Sequence, residues 1–267
     1  MNKIFICLNI ITLAITGCSK KSEPLPPARG RVIVMMYHRI VTGEATNIYE
    51  RSVADFGEDL KYLKVNSIKV ISFSDIENIS KTGKMPLGNT AVITFDDGDY
   101  SWYSLARPLL LQYQMKATFF LWTSMIARDS FLSWKEVEHM SHYTLPGGEK
   151  PFTFGSHTFS HQFLLGRKAG FSDDNEYNLF LDYELRESKN LIEAHTSVDV
   201  TTLALPFGDG AGDPEIIAAA IRNGYRCIRT SVYGAIESPD FNLFIIPSLP
   251  MLDNTSSDEI ENYLNGK

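Results

Sequence analysis

The chain has 267 residues, of which 44% are hydrophobic and 21% charged, a composition typical of a globular protein with one large α/β domain. Its 32 acidic and 25 basic residues give a formal net charge of −7, and no basic run is long enough to follow a phosphate backbone. We therefore expect no nucleic acid partner. The acidic balance favours a neutral or cationic substrate.

The first thirty residues have the pattern of an export signal and a tether. An apolar stretch from Ile4 to Ile15 follows Lys3; it is too short to cross a bilayer and suits the core of a signal peptide. It ends in Ile15-Thr16-Gly17-Cys18, which resembles a bacterial lipobox. We predict a signal peptide over 1–17, lipidation of Cys18, and a flexible tether over 18–30. The alternative is an ordinary secretory signal in which Cys18 is incidental.

Apolar, β-branched runs alternate with amphipathic stretches from residue 31 to residue 267. The predicted strands are Arg31–Tyr37, Lys69–Ser72, Thr90–Phe95, Ala117–Leu121, Phe152–Ser156, Thr201–Leu205, Tyr225–Thr230 and Leu243–Ile246. The predicted helices are Val53–Val65, Ser74–Lys81, Trp102–Tyr113, Trp134–Ser141, Asn178–His195, Pro214–Asn223 and Ser257–Leu264. Seven or eight such units predict a parallel β-barrel covered by helices, with its chemistry at the carboxyl ends of the strands. We expect one domain and a monomer.

Two adjacent carboxylates, Asp96 and Asp97, end the third predicted strand and are followed by Gly98. Neighbouring side chains of a strand point to opposite faces, so the two acids can act together only if the chain turns there, which Gly98 permits. The alternative for this pair alone is a surface loop with two solvated acids.

His157 and His161 follow another predicted strand and are four residues apart. If this segment turns helically, both imidazoles lie on one face and can bind one ion. With Asp97 they complete a set of two histidines and one carboxylate, which leaves positions open for water and substrate, as a catalytic metal site requires. Zinc suits these ligands best, although cobalt, nickel and iron(II) also fit them.

Three segments are similar, in order and spacing, to the motifs of polysaccharide deacetylases of carbohydrate esterase family 4, the NodB-homology domains: Thr94-Phe95-Asp96-Asp97-Gly98, His157-Thr158-x-x-His161 and Pro206-Phe207-Gly208. The resemblance implies a distorted (β/α)7-type barrel. It also implies that Asp97, His157 and His161 bind the metal, that Asp96 is the general base, and that the backbone N–H of Phe207 stabilises the oxyanion, with Pro206 fixing its loop.

Further segments resemble the branch of this family that acts on poly-β-1,6-N-acetylglucosamine, among them Met36-Tyr37-His38-Arg39 and Leu132-Ser133-Trp134. In that branch the catalytic acid is a histidine near the N-terminus, and His38 fits the position. Its alternative is a buried, hydrogen-bonded histidine at the barrel mouth. In many family members an arginine orients the general base. This arginine lies three residues before the aromatic residue of the Pro-aromatic motif. Ala204 occupies that place here, which leaves the residue that orients Asp96 unassigned.

Several aromatic residues near these motifs could form the floor of a sugar-binding groove: Tyr37, Trp102, Tyr103, Trp134, Phe159 and Phe163. Of these we predict Tyr37 and Trp134 to lie near the cleft and the others to pack in the fold. The expected function is metal-dependent removal of N-acetyl groups from a surface polysaccharide by a lipid-anchored protein of the cell envelope. The alternatives are a deacetylase of peptidoglycan, chitin oligomers or acetylxylan, and an inactive carbohydrate-binding lipoprotein.

Overall fold

The computed structural model describes residues 30–266. The predicted signal peptide over 1–17, the lipidation site at Cys18 and the tether over 18–30 lie outside these residues, apart from Gly30. The N–H of Gly30 donates a hydrogen bond to the Pro86 carbonyl oxygen over 2.8 Å. Within residues 30–266, no helix combines the length and the apolar character that crossing a bilayer requires.

Ten strands and seven α-helices make up the described chain. The strands are β1 (Val32–Tyr37), β2 (Arg39–Val41), β3 (Glu50–Ser52), β4 (Lys69–Val70), β5 (Thr90–Asp97), β6 (Ala117–Leu121), β7 (Phe152–Ser156), β8 (Thr202–Ala204), β9 (Cys227–Tyr233) and β10 (Ile246–Pro250). The helices are α1 (Val53–Val65), α2 (Phe73–Thr82), α3 (Arg107–Tyr113), α4 (Trp134–His142), α5 (Asp174–Thr196), α6 (Pro214–Arg222) and α7 (Ser257–Asn265).

Seven parallel strands close into a barrel. Their order is β1-β10-β9-β8-β7-β6-β5, and β1 also pairs with β5, in a register that runs from Val32 opposite Thr90 to Tyr37 opposite Phe95. The short strand β4 pairs with the first two residues of β5, and β2 and β3 form a separate parallel ribbon. The predicted seven-stranded parallel barrel is thus confirmed.

Each barrel strand is buried on both faces because one face packs inside the barrel and the other against the helices. In β1, Val32 and Val34 belong to an inner apolar cluster, whereas Ile33 and Met35 belong to the outer cluster that also contains Phe56 of α1. All six residues of β1 are buried. Continuous apolar strands are the sequence signature of this arrangement.

Most predicted elements match the observed ones within a few residues, and three regions differ. β10 begins at Ile246, the last residue of the predicted strand, because Asn242 forms a turn in which its side chain accepts from the Phe244 N–H over 2.9 Å. The β2–β3 ribbon was not predicted, since its three-residue strands are polar and too short to show an alternation. The predicted helix Trp102–Tyr113 begins with a five-residue π-helical turn before α3.

Candidate active site

Asp96 and Asp97 lie at the carboxyl end of β5, and the chain changes direction at Asp97 itself. Asp97 has a φ of 93°, and Gly98 follows with a φ of 111°. A Cβ atom on Gly98 would lie 2.8 Å from Cδ1 of Ile126, and the φ of Gly98 would strain any other residue there. The left-handed backbone brings both carboxylates to the same end of the barrel, as the paired acids require.

The two histidines lie on the loop that follows β7, and this loop is also strained. Thr158 and His161 have φ values of 65° and 56°, in the left-handed region that few non-glycine residues occupy. The expected helical turn does not form. Instead the His161 N–H donates to the Thr158 side-chain oxygen over 3.1 Å, and this loop turn brings the two imidazoles together.

The structure places one donor atom from each of Asp97, His157 and His161 within 4.8 Å of the others. Asp97 Oδ1 lies 3.5 Å from His157 Nε2 and 3.3 Å from His161 Nε2, and the two Nε2 atoms are 3.1 Å apart. Ligands bound at about 2.0–2.1 Å in a tetrahedral arrangement lie roughly 3.3 Å from one another. The spacing of the three donors therefore fits a single divalent ion.

The tautomer of His157 also fits a metal ligand. Its Nδ1 lies 2.9 Å from the carbonyl oxygen of Ala204, which can only accept, so Nδ1 carries the hydrogen and Nε2 presents its lone pair. Burial, stronger than the opposing attraction of Asp96 and Asp97, lowers the pKa of His157 to about 4. The imidazole is thus neutral at physiological pH, the form that binds metal.

Asp97 is ionised across the same range. Burial by itself raises the pKa of Asp97, but the hydrogen bond from His161 and the nearby His157 and His38 outweigh it and lower the pKa to about 2. A neutral His157 beside an ionised Asp97 matches the protonation states that a divalent cation requires of its ligands.

Asp96 points into the barrel, where Arg229 of β9 holds it. The guanidinium donates to Asp96 Oδ2, and both side chains are almost completely buried. Asp96 Oδ1 is buried and has no hydrogen-bond partner among residues 30–266, while Oδ2 lies 3.8 Å from His157 Nε2. Arg229 therefore holds one oxygen of Asp96, and the other has no hydrogen-bond partner among the described residues.

Arg229 is the orienting residue that the sequence left unassigned. It lies directly opposite Ala204 in the register of β8 and β9, so the guanidinium enters from the strand next to the one that carries the steering arginine in many relatives. Its position is fixed by Phe120, whose ring centre is 5.3 Å from the guanidinium carbon. Phe120 has room inside the barrel because Gly155 of β7 lacks a Cβ, which would lie 2.5 Å from the ring.

Glu184 of α5 anchors the loop that carries the histidines. Its carboxylate accepts from the Ser160 N–H over 2.8 Å and from the Ser160 hydroxyl, and it is 3% exposed. The Glu184 carbonyl oxygen also accepts from the Phe159 N–H over 3.1 Å. A buried acid on a helix outside the motifs thus fixes the segment between the two imidazoles.

His38 lies in the same cleft, which has a volume of about 450 Å³ and also contains Asp96, Asp97, His157 and His161. The Trp102 indole N–H donates to the His38 carbonyl oxygen over 2.6 Å, and the His38 ring lies 5.0 Å from that of Tyr49. The alternative of a hydrogen-bonded structural histidine loses support, because the buried Nδ1 of His38 has no partner among the described residues.

Phe207 lines this cleft, and Pro206 is buried at the start of the same turn. Phe207 has a φ of 57° and a side chain that is 59% exposed. Its ring meets the ring of His161 edge to face, with centroids 4.7 Å apart. The Pro-Phe-Gly turn therefore borders His161, the more exposed of the two histidines of this loop.

The structure does not bring Tyr37 or Trp134 to the cleft. Tyr37 is fully buried and donates to the Asp59 carboxylate over 3.0 Å, so a substrate cannot reach it. Trp134 begins α4 and stacks on His195 in the last turn of α5, with ring centroids 4.2 Å apart. The prediction that Tyr37 lies near the substrate is thus wrong, and that for Trp134 stays a prediction. Tyr37 alternates with Ile33 and Met35 along β1 and therefore faces the helices, which the alternation of the strand could have indicated.

One end of the closed parallel barrel carries two imidazoles, a carboxylate and a second carboxylate that an arginine holds. This is the donor set of hydrolases that activate water on a divalent ion, and it defines the class of the protein. Comparison with known proteins identifies the family. Residues 84–228 match the model of the family "Polysaccharide deacetylase", and the chain belongs to that family.

Individual relatives are distant. The chain is 26% identical to the poly-β-1,6-N-acetyl-D-glucosamine N-deacetylase of Staphylococcus aureus over 214 residues, which are 77% of this chain and 69% of that enzyme. It is 25% identical to YxkH of Bacillus subtilis over 202 residues, which are 76% of this chain. The alignment spans 65% of YxkH, just under two thirds of that protein.

Solved structures share the fold. The Streptococcus pyogenes deacetylase PplD, in complex with acetate, superposes with a TM-score of 0.75 and 19% identity, covering 89% of this chain and 99% of PplD. IcaB from Ammonifex degensii superposes with a TM-score of 0.72 and 18% identity, covering 89% of this chain and 98% of IcaB. At these identities the likeness establishes the barrel alone.

Proposed function

We propose that this protein hydrolyses N-acetyl groups of a β-linked N-acetylglucosamine polymer in a metal-dependent reaction and releases acetate. The observation that carries the proposal has two parts. Three ligand atoms lie 3.1–3.5 Å from one another. In the same cleft Arg229 holds the carboxylate of Asp96, whose second oxygen has no hydrogen-bond partner among the described residues. Membership of the deacetylase family and the acidic net charge, which suits a product with free amines, support the substrate class.

Asp97, His157 and His161 would hold the ion. When bound, a divalent ion polarises a carbonyl and lowers the pKa of a water molecule from 15.7 to about 7. Zinc suits two imidazoles and a carboxylate, and cobalt, nickel and iron(II) fit the same donors. We propose zinc as the resident metal.

The other residues of the cleft move protons and stabilise charge. Asp96 accepts the proton of the attacking water at Oδ1, while Arg229 keeps Oδ2 in place. The backbone N–H of Phe207 donates to the developing oxyanion, and His38 gives a proton to the departing amine. These roles divide the reaction between a buried base on β5 and an acid that follows the neighbouring strand β1.

We also propose that Cys18 carries lipid and that the chain acts from a membrane surface in the cell envelope. The pattern of residues 1–30 supports this, and a polar, proline-rich tether would let the barrel reach a polymer near that membrane. Mass spectrometry of Cys18 peptides from cells tests it. A Cys18→Ser variant should leave the membrane fraction, and its persistence there would contradict the lipid anchor.

Acetate release tests the activity. The protein is assayed with oligomers of β-1,6-linked N-acetylglucosamine, chitin oligomers, peptidoglycan and acetylxylan, while its metal content is measured by mass spectrometry. We expect the β-1,6-linked oligomers to give the highest rate, chelation to abolish it and added zinc to restore it. A higher rate on another polymer would replace the substrate. Sugar binding that survives chelation without any acetate would indicate a carbohydrate-binding protein.

His38 has its own test in the same assay. A His38→Ala variant should lose turnover and keep its metal, because His38 is not among the three donors. Undiminished acetate release would remove it from the role of acid. The exposed His142, in the last turn of α4, provides the matched control, and His142→Ala should retain full activity.

A further inference from the structure

Two phenylalanine rings lie stacked and exposed at the border of the candidate active site. Phe163 and Phe207 are 49% and 59% exposed, and their ring centroids are 4.3 Å apart with an angle of 17° between the planes. Neither residue belongs to the apolar clusters of the described chain. Contiguous exposed apolar surface of this kind marks a binding site more often than it stabilises a monomer.

The pair is assembled from two loops that the fold holds together. Phe163 lies on the loop after β7 and Phe207 on the turn after β8. The Gly166 N–H of the first loop donates to the Asp209 carboxylate of the second over 3.0 Å. Phe207 adopts its exposed position with a φ of 57°, which costs a bulky residue free energy. The surrounding contacts therefore hold an apolar ring toward solvent.

The stacked pair is continuous with the ligand histidine. The Phe207 ring meets that of His161 at 4.7 Å, and the His161 ring in turn stacks on Trp122 at 4.6 Å. Phe207 also lines the cleft that contains Asp96, and Phe163 extends this wall outward. A ring bound against the pair would thus lie beside the residue whose acetyl group is removed.

We propose that Phe163 and Phe207 form a platform, a stacked pair whose outer face binds a pyranose ring of the polymer next to the residue under attack. The face of a pyranose ring is built of C–H groups, and its hydroxyls point outward, so it can cover an aromatic face while its polar rim stays hydrated. The platform makes the protein selective for oligomers over single sugars. This inference rests on the proposed function, since it assigns the neighbouring subsite of the same cleft.

A Phe163→Ala variant tests the platform, because this side chain is exposed and the change leaves the core intact. Binding of a β-linked N-acetylglucosamine tetramer is measured by calorimetry in an Asp96→Asn background, in which we expect turnover to be too slow to consume the tetramer during the measurement. We expect the dissociation constant to rise roughly five- to tenfold. Phe163→Trp should retain the affinity. Leu179→Ala, at a 63% exposed residue of α5 outside the cleft, is the matched control and should also retain it.

A second readout separates sugar binding from support of the ligand loop. Hydrolysis of 4-nitrophenyl acetate, which is too small to cover both the catalytic centre and the platform, should stay within about twofold of the unmodified protein in Phe163→Ala. Unchanged tetramer affinity, or an equal loss of affinity and ester hydrolysis, would overturn the platform. If no polymer releases acetate while Phe163→Ala still weakens tetramer binding, the proposed function fails and the platform stands.

Discussion

Arg229 donates a hydrogen bond to Asp96 inside the barrel, where the two side chains are 0% and 3% exposed. The pair joins β9 to β5 across the barrel interior. A buried carboxylate without a partner would be costly, and a fixed guanidinium both compensates its charge and sets its direction. The base of the proposed reaction thus depends on a residue that lies 133 positions away in the chain.

We predict that Arg229→Lys lowers kcat for acetate release by roughly 10- to 100-fold, because a lysine keeps the charge but does not hold the carboxylate in the same geometry. Metal content should be unchanged, since Arg229 is not among the three donors. Arg229→Ala should instead destabilise the fold by about 3–5 kcal/mol. Arg226→Lys, which changes an exposed ion pair with Glu77, is the control. An unchanged kcat in Arg229→Lys would contradict the orienting role.

Asp96 and His157 should behave differently when they are replaced. Asp96→Asn keeps the side-chain volume and leaves all three donors in place, so the protein should bind metal and lose roughly 10²- to 10⁴-fold in turnover. His157→Ala removes a ligand and should lose both metal and turnover. Metal analysis beside acetate release separates the two results. Most of the rate surviving in Asp96→Asn would show that another group acts as the base.

The sequence was sufficient for the barrel and for the closeness of Asp97, His157 and His161. Strands such as β5 and β6 are continuous apolar runs, and the carboxyl ends of parallel strands meet at one edge of a barrel, which brings Asp97 and His157 together whatever the details of the loops. The order and spacing of the motifs predicted the remaining candidate residues. These predictions depend on local composition and on a general rule of barrel topology.

Two features could not be predicted because they depend on contacts between distant residues. The pairing of Ala204 with Arg229 follows from the register of two short strands, which no local pattern specifies. The exposure of Phe163 depends on the hydrogen bond between Gly166 and Asp209, which links two loops.

Glu184→Gln tests how the histidine loop is held. A neutral amide presents one acceptor where the Ser160 N–H and hydroxyl now share a carboxylate, so the loop should be less well fixed and zinc affinity should fall roughly 10- to 100-fold. Competition with a fluorescent chelator measures this without turnover. Glu187→Gln, on the same helix beside Arg186, is the matched control. Equal affinities in the two variants would exclude an anchoring role for Glu184.

The stability of the metal-free protein should depend on pH through His157. Burial lowers its pKa to about 4, whereas the unfolded value is about 6.5. Between these values the unfolded state binds the proton and the folded state does not, so the free energy of unfolding falls as the pH decreases from 6.5 to 4. The total loss is about 3 kcal/mol.

Asp97 acts in a separate range, because its pKa of about 2 lies below the usual value of 3.8 and its contribution to stability is lost only as the pH falls below 3.8. Urea unfolding in the presence of a chelator, from pH 4 to pH 7.5, measures the histidine effect. A His157→Gln variant should lose most of the slope between pH 6.5 and pH 4, since it has no proton to bind there. Equal pH dependence of the free energy of unfolding in the two proteins would mean that His157 titrates alike when folded and unfolded. The inference that its imidazole is neutral, drawn from its buried contact with Ala204, would then be wrong.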